Sequence, residues 1–354
     1  MNGVNILLIL LVFSIIVFFH ELGHFIVAKM NHILVDEFSI GMGPAIFSWQ
    51  KKETKYSVRL LPIGGYCMMH GESGEEDSDN ENSFANKSVL ARMAVIAAGP
   101  IFNFILAFVF SIILIHFVGC DPTTLDIVME NSPAEEAGLK VGDRIAEING
   151  DKVYNYRELL LFMQTADLSK SFELKMVTPE GEEYVTKVQP RKNDKGEYKI
   201  GVYAGYEKPD SIVTNIKYAI LECRYCVKAT VDGLKMIVTR QVKSDQIMGP
   251  VGVGGTMNDI IEDVKRESSS TSEAVINIIL NMINWCILLS VNLGIMNLLP
   301  IPALDGGRLL FLLIEGVRRK KIPQDKEAFV NLIGFVLLII LMIVVFFNDI
   351  KNIL

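Results

Sequence analysis

The sequence predicts a multi-pass α-helical membrane protein with four transmembrane helices, a membrane-reentrant β-hairpin and one inserted α+β domain. Half of the 354 residues are hydrophobic, more than in an ordinary soluble protein. The apolar residues are concentrated in a few long runs, and charged residues fill the intervals between them. One interval, residues 120–273, is long enough to hold a domain of its own.

Four apolar runs have the length of membrane spans, because about 20 helical residues cross a hydrocarbon layer roughly 30 Å thick. The first run is preceded by no Lys or Arg and followed by no small-residue cleavage site, so we expect a retained span rather than a signal peptide. The second is interrupted by Gly99-Pro100, the third is rich in asparagine, and the fourth is the most uniformly apolar. The predicted spans cover residues 3–19, 94–118, 274–299 and 328–347.

The orientation follows from Lys and Arg in the short loops, which favour the cytoplasmic side. The loop between the third and fourth spans contains the basic run 318–321, and the loop between the first and second spans contains seven Lys and Arg residues. We therefore expect both termini and the 120–273 insert to face the outside, opposite the cytoplasm.

The insert begins with signals of a small β-rich domain. Ser132-Pro133 followed by Glu135 is typical of a capped helix start, and Asn149-Gly150 between two alternating segments indicates a hairpin. Residues 211–242 then show a 3.6-residue apolar period, which predicts an amphipathic helix. Such a helix either lies on the membrane surface or packs on the domain, and a Ser-rich linker at 268–272 leads into the third span.

Charge and cysteine content exclude two classes of protein. A net charge of −7 with no broad basic stripe argues against nucleic-acid binding. Five scattered cysteines, an odd number, do not form a disulfide framework.

The strongest chemical signal is the sequence His20-Glu21-Leu22-Gly23-His24 at the end of the first apolar run. On a helix, two histidines four residues apart share one face and can bind one zinc ion. Glu21 lies beside that face, where it can act as the base that takes a proton from zinc-bound water. Polar residues at membrane depth are costly, which favours a functional role over a structural one.

A catalytic zinc site needs a third protein ligand and an open position. The remaining histidines are poorly placed, since His32 and His70 lie in a polar loop and His116 lies near the opposite end of the second span. Among the acidic residues, Glu37 follows the first span, but Asp305 is the better candidate. It follows prolines that would unwind the end of the third span, on the same membrane side as His24.

Two further features concern the substrate. The asparagines of the third span can hold an extended peptide or stabilise an oxyanion, or they can simply join helices. Residues 34–70 alternate between apolar and polar, which predicts a β-hairpin that dips into the membrane and offers an edge to an extended substrate.

These motifs together resemble the site-2 protease family, in particular bacterial enzymes of the regulator-of-sigma-E protease type. The resemblance rests on the His20–His24 motif, Gly41-x-Gly43-Pro44, the run from Leu61 to Tyr66, Gly99-Pro100 with Asn103, and the run from Asn297 to Gly306, in the family order.

The resemblance implies that Asp305 is the third zinc ligand, that residues 34–70 form a membrane-reentrant region and that residues 120–205 form a PDZ domain. The predicted layout is a membrane core at 1–119 and 274–354, the PDZ domain, and an amphipathic helix with linker at 206–273. Asn297 and Asn103 are the candidate substrate-binding residues. Some members carry two tandem PDZ domains, whereas this insert has room for one.

The resemblance implies regulated intramembrane proteolysis with Zn²⁺ as cofactor in a bacterial cytoplasmic membrane, with the PDZ domain on the extracytoplasmic side. The expected partners are transmembrane protein substrates, such as anti-sigma factors or remnant signal peptides, and membrane lipid, with a peptide or ectodomain contact at the PDZ domain. Two other hypotheses are a membrane-anchored PDZ adaptor with a vestigial metal site and a transporter with a broken helix. The intact motif argues against the first, and no internal repeat supports the second.

Overall fold

The structure is a computed structural model that describes residues 2–72, 80–193, 196–242 and 247–353. The chain divides into two compact units. We call them the membrane unit (Met1–Phe110 with Arg240–Leu354) and the inserted unit (Ser111–Thr239).

Among the described residues, four helices are long and apolar enough to cross a membrane, in agreement with the four predicted spans. They are α1 (Gly3–Met30), α2 (Val89–Val118), α7 (Thr271–Leu298) and α9 (Gln324–Ile353). Helix α1 begins where the Asn2 side chain accepts a hydrogen bond from the Asn5 amide at 2.8 Å. It continues well past the predicted end of the first span, so the His20–His24 motif lies inside a helix rather than at its end.

Two shorter helices complete the helical part of the membrane unit. Helix α6 (Pro250–Glu267) occupies a stretch for which the sequence interpretation predicted no helix. Its residues Met257 and Ile261 are fully buried in a cluster with Ile9 and Ile278. The glycines at its start are poor helix formers, and packing against the spans outweighs that local preference. Helix α8 (Asp305–Arg318) follows the broken end of α7.

The predicted hairpin consists of β1 (Val35–Lys51) and β2 (Thr54–Met69), followed by a short 3-10 helix at Phe84–Asn86. Both strands bend, so the part of β1 at residues 37–40 pairs with residues 65–68 of β2 on one side and with residues 55–58 on the other. Residues 47–51 pair in turn with 54–58. Four strand segments therefore lie side by side, with residues 65–69 at one outer edge and 45–51 at the other.

The inserted unit contains β3 (Ile127–Val128), α3 (Pro133–Glu136), β4 (Arg144–Ile148), β5 (Asp151–Lys152), α4 (Tyr156–Thr165), β6 (Phe172–Val177), β7 (Glu183–Val188), β8 (Arg191–Lys192), β9 (Tyr198–Lys199), β10 (Val202–Tyr203) and α5 (Ile212–Val238). Its main sheet has the order β5-β4-β6-β7, and β10 pairs with β3. Ser132 caps α3 as predicted, because its hydroxyl accepts from the Glu135 amide at 3.2 Å. A separate apolar core includes Leu125, Ile145 and Leu174, each with no exposed surface.

Helix α5 lies within the predicted amphipathic segment and packs on the domain. Arg157 of α4 is paired with Asp121 and with Glu222 of α5. The apolar side chains of Ile212 and Val238, by contrast, are 71% and 82% exposed. Packing on the domain was one of the two alternatives that the sequence left open.

Candidate metal centre

His20 and His24 meet on one face of α1, as their four-residue spacing requires. Each is 7% exposed. Their Nε2 atoms are 3.2 Å apart, so both rings point at the same place.

Asp305 reaches the same place from the other end of the sequence. Helix α7 ends at Leu298, and the segment with Pro300 and Pro302 leads directly to Asp305 at the start of α8. The Asp305 Oδ2 atom lies 3.1 Å from His20 Nε2 and 3.4 Å from His24 Nε2. A Cβ at Gly306 would lie 2.1 Å from the Leu299 carbonyl oxygen, so this sharp turn requires glycine.

The three donor atoms fit a zinc ion. Donors bound tetrahedrally at about 2.0–2.1 Å from zinc are about 3.3–3.4 Å from one another, and the observed separations are 3.1, 3.2 and 3.4 Å. The Asp305 Oδ2 atom is buried and accepts no hydrogen bond of ordinary geometry within the described ranges. Three protein ligands leave a fourth position open, as in catalytic rather than structural zinc sites.

Gly99 of α2 leaves room for the rings of His20 and His24. A Cβ at Gly99 would lie 2.3 Å from His24 Nε2 and 2.8 Å from His20 Cε1. The glycine that the sequence interpretation treated as a break in the second span is thus the point where α2 passes the two histidines.

The outer nitrogens of both rings contact α2. The Nδ1 atom of His24 lies 2.9 Å from the Val95 carbonyl oxygen. Because a carbonyl only accepts, this nitrogen carries the proton and leaves the Nε2 lone pair for a metal. The Nδ1 atom of His20 lies 3.2 Å from the Asn103 amide nitrogen. No residue pattern predicts the Val95 contact, because any residue type supplies a backbone carbonyl.

Glu21 lies between the histidines and the hairpin. The backbone amide of Cys67 hydrogen-bonds to its carboxylate, and a Cβ at Gly65 would be 3.5 Å from its Cγ atom. The base candidate is therefore held beside the outer edge of the sheet formed by residues 65–69.

The two candidate substrate-binding residues differ in their surroundings. Asn297, in the last turn of α7, is half-buried, and its amide nitrogen is 3.5 Å from His20 Nε2. Asn103 is completely buried. Glu37, the weaker alternative for a third ligand, is occupied elsewhere, since it accepts hydrogen bonds from Ser57 at 2.5 Å and Arg59 at 2.8 Å inside the sheet.

Helices apolar enough to span a membrane, three donor atoms in a zinc-binding geometry and an adjacent carboxylate are the features that an integral membrane metalloprotease requires. The comparisons with known proteins agree. The family model described as peptidase family M50 matches residues 8–341. The chain is 34% identical to zinc metalloprotease RasP of Bacillus licheniformis, over 98% of this chain and 99% of that protein. It is 32% identical to the regulator of sigma-W protease RasP of Bacillus subtilis, over 98% of each chain.

The chain therefore belongs to peptidase family M50, the site-2 proteases. It is a zinc-dependent intramembrane metalloendopeptidase, and its relatives named above are bacterial. Among solved structures, the chain is similar to the PDZ domain of an SdrC-like protein from Listeria innocua, with 20% identity over 25% of this chain and 97% of that chain and a TM-score of 0.22.

Proposed function

We propose that this protein binds zinc through His20, His24 and Asp305 and cuts peptide bonds inside transmembrane segments of other membrane proteins. The observation that carries the proposal is the convergence of three donor atoms at mutual distances of 3.1–3.4 Å beside Glu21, on apolar helices.

The residues divide the chemistry between them. Zinc bound at this position would supply a Lewis acid that acidifies water and polarises a peptide carbonyl. The Glu21 carboxylate accepts a proton from the attacking water, whose oxygen bonds to the peptide carbonyl carbon, and passes that proton to the departing amine, so that an extended peptide is split into an acid and an amine. The Asn297 amide is half-buried and lies near His20 Nε2. It can donate a hydrogen bond to the peptide carbonyl oxygen as that oxygen gains negative charge.

The hairpin supports a specific way of holding substrate. Within the described residues no strand pairs with the outer side of residues 65–69, and this segment touches Glu21. A transmembrane segment must leave its helical form to expose a peptide bond, and an extended peptide can pair with a free strand edge. The hairpin also exposes large apolar side chains such as Ile46 at 66% and Phe47 at 61%, as expected of a segment that re-enters the membrane.

The proposed substrates are membrane proteins first trimmed outside the membrane. One relative is named a regulator of sigma-W protease, which points to anti-sigma factors as a class, with remnant signal peptides as a second. We propose further that residues 120–205 are a PDZ domain on the extracytoplasmic side, where it contacts a substrate peptide or ectodomain. A capped helix, a hairpin and their own apolar core support a domain there.

The test is cleavage of a model transmembrane substrate by the purified protein reconstituted in liposomes, with zinc measured in the same samples. For Glu21→Gln we expect a rate lower on the order of 10²–10⁴-fold with zinc retained. For His20→Ala and Asp305→Ala we expect zinc itself to be lost. His116→Ala, which changes an exposed histidine at the end of α2, is the matched control.

Two results would contradict the proposal. Full activity of Glu21→Gln would remove Glu21 from the mechanism, and unchanged zinc content of Asp305→Ala would remove Asp305 from the ligand set. Binding of substrate tails without any cleavage by the zinc-loaded wild-type protein would favour the adaptor hypothesis.

A further inference from the structure

The side chain of Asn103 contacts His20, a candidate metal ligand, and does not reach the surface. It is completely buried, and its Nδ2 end lies 3.2 Å from His20 Nδ1. The other end of the amide, Oδ1, is also buried and has no hydrogen-bond partner within the described parts of the chain. A side chain with no exposed surface is not accessible to a substrate, so its role follows from the contact with His20.

The chemistry of histidine decides which end of the amide belongs at His20. The Nε2 atom of His20 faces Asp305 and His24, so it is the nitrogen that offers a lone pair to zinc. A neutral imidazole then carries its proton on Nδ1, which must donate. An amide nitrogen cannot accept that hydrogen bond, whereas an amide oxygen can.

A half-turn of the amide satisfies this requirement. The two ends of an amide have nearly the same shape, so the turn exchanges Oδ1 and Nδ2 without moving other atoms. It leaves the number of unpartnered ends unchanged, because Nδ2 takes the place where Oδ1 had no partner. It also makes the His20 contact match that of His24, whose Nδ1 donates to the Val95 carbonyl oxygen.

The position of Asn103 on α2 supports the same role. Val95, Gly99 and Asn103 are four residues apart and therefore form one stripe of the helix. The stripe supplies an acceptor for His24, a gap for both rings and an amide for His20. The Ser290 hydroxyl of α7 donates a hydrogen bond to the backbone carbonyl oxygen of Asn103 at 2.8 Å. This bond joins the same turn of α2 to the helix that leads to Asp305.

We infer that Asn103 is a positioning residue whose amide oxygen accepts from His20 Nδ1 and so keeps His20 Nε2 directed at the metal. The inference rests on the ligand set proposed above. It replaces the substrate-binding role that the sequence suggested for Asn103. Partners of this kind fix the tautomer of a ligand histidine and contribute about 10–100-fold to metal affinity.

The test compares two variants of nearly equal size in the full-length protein in detergent. Asn103→Asp keeps an oxygen acceptor, and Asn103→Leu removes it. Zinc affinity is measured by competition with a chromophoric chelator, and the geometry of the site is followed by the visible absorption of the Co²⁺-substituted protein. We expect Asn103→Leu to bind zinc about 10–100-fold more weakly with an altered cobalt spectrum, and Asn103→Asp to bind at least as tightly as wild type.

The thermal midpoint of unfolding of each variant, measured in the presence of a chelator, separates an effect on metal binding from an effect on folding. Asn103→Ala serves as the acceptor-free variant if Asn103→Leu does not fold. Asn284→Leu, at an exposed α7 asparagine, is the control for loss of an amide. Wild-type zinc affinity in Asn103→Leu would overturn the inference, as would equal weakening in Asn103→Asp and Asn103→Leu. His20→Ala distinguishes the two proposals, because retained zinc there would contradict the ligand set itself.

Discussion

At the residue scale, the metal centre depends on space as much as on ligands. Gly23 of α1 and Gly99 of α2 lie where these two helices approach closely, since a Cβ at Gly23 would be 2.4 Å from the Ala98 carbonyl oxygen. The rings of His20 and His24 fill the space that Gly99 leaves. A methyl group added at Gly99 would overlap the rings unless either α2 or the rings moved.

We predict that Gly99→Ala disrupts the centre without unfolding the protein. The new Cβ would lie 2.3 Å from His24 Nε2, and a displacement on the order of 1 Å in a catalytic site costs about 100-fold in rate. Zinc content and kcat/KM should both fall. Gly255→Ala is the matched control, because among the described residues no atom outside its own stretch of helix lies within 4 Å of an added Cβ. Unaltered zinc binding in Gly99→Ala would refute the prediction.

At the element scale, α8 matters because it carries Asp305 at its first residue. Ten residues further on, Glu315 forms an ion pair with Arg92 near the start of α2. The two residues are 9% and 7% exposed. Since a helix is a rigid rod of about 1.5 Å per residue, fixing Glu315 also fixes the direction in which Asp305 approaches the histidines.

We predict that Glu315→Gln lowers the thermal midpoint of unfolding and weakens zinc binding. Removing one partner of a buried ion pair leaves the other charge uncompensated, at about 3–5 kcal/mol. Asp263→Asn is the control, because its partner Arg266 is 75% exposed and such pairs contribute about 0–1 kcal/mol. Equal midpoints for the two variants would mean that the Arg92 pair does not brace α8.

The hairpin gives a second prediction at this scale. A photo-cross-linking residue at Met68, which is 46% exposed on the edge segment beside Glu21, should capture substrate in the Glu21→Gln protein. The same residue at Ile46, 66% exposed on the opposite edge segment, should not. Stronger capture at Ile46 would contradict the prediction, because it would mean that the substrate lies along the edge formed by residues 45–51.

At the scale of the whole molecule, the proposed membrane orientation rests on the distribution of Lys and Arg. The basic run 318–321 begins at the last residue of α8, and the inserted unit begins at Ser111, in the C-terminal part of α2. The positive-inside rule therefore predicts that the basic loops face the cytoplasm and that the inserted unit faces the extracytoplasmic side.

We predict that a membrane-impermeant maleimide labels Lys192→Cys on intact cells and labels Lys320→Cys only after permeabilisation. Both positions are exposed. The background is Cys223→Ser, because the other four native cysteines are buried. Labelling of Lys320→Cys on intact cells would reverse the proposed topology.

The sequence by itself determined the four spans, because length and hydropathy are local properties, and it determined His20, Glu21 and His24, because a four-residue spacing on a helix needs no tertiary information. It also indicated the domain at 120–205 and the α5 segment through caps, turns and periodicity. It could not predict α6, whose glycines disfavour a helix until Met257 and Ile261 are buried against the spans.

The sequence named Asp305 and Asn103 as candidates, but only the tertiary structure decided how these distant groups are arranged around the metal position. Asp305 is 281 residues beyond His24 and reaches it only because α7 ends at the proline-containing turn. The approach of α2 through Gly99, the Val95 carbonyl beside His24 and the Asn103 amide beside His20 depend on how two apolar helices pack. The geometry depends on a backbone carbonyl, a glycine without a side chain and a buried amide. The distances among such groups cannot be read from the sequence of an apolar span.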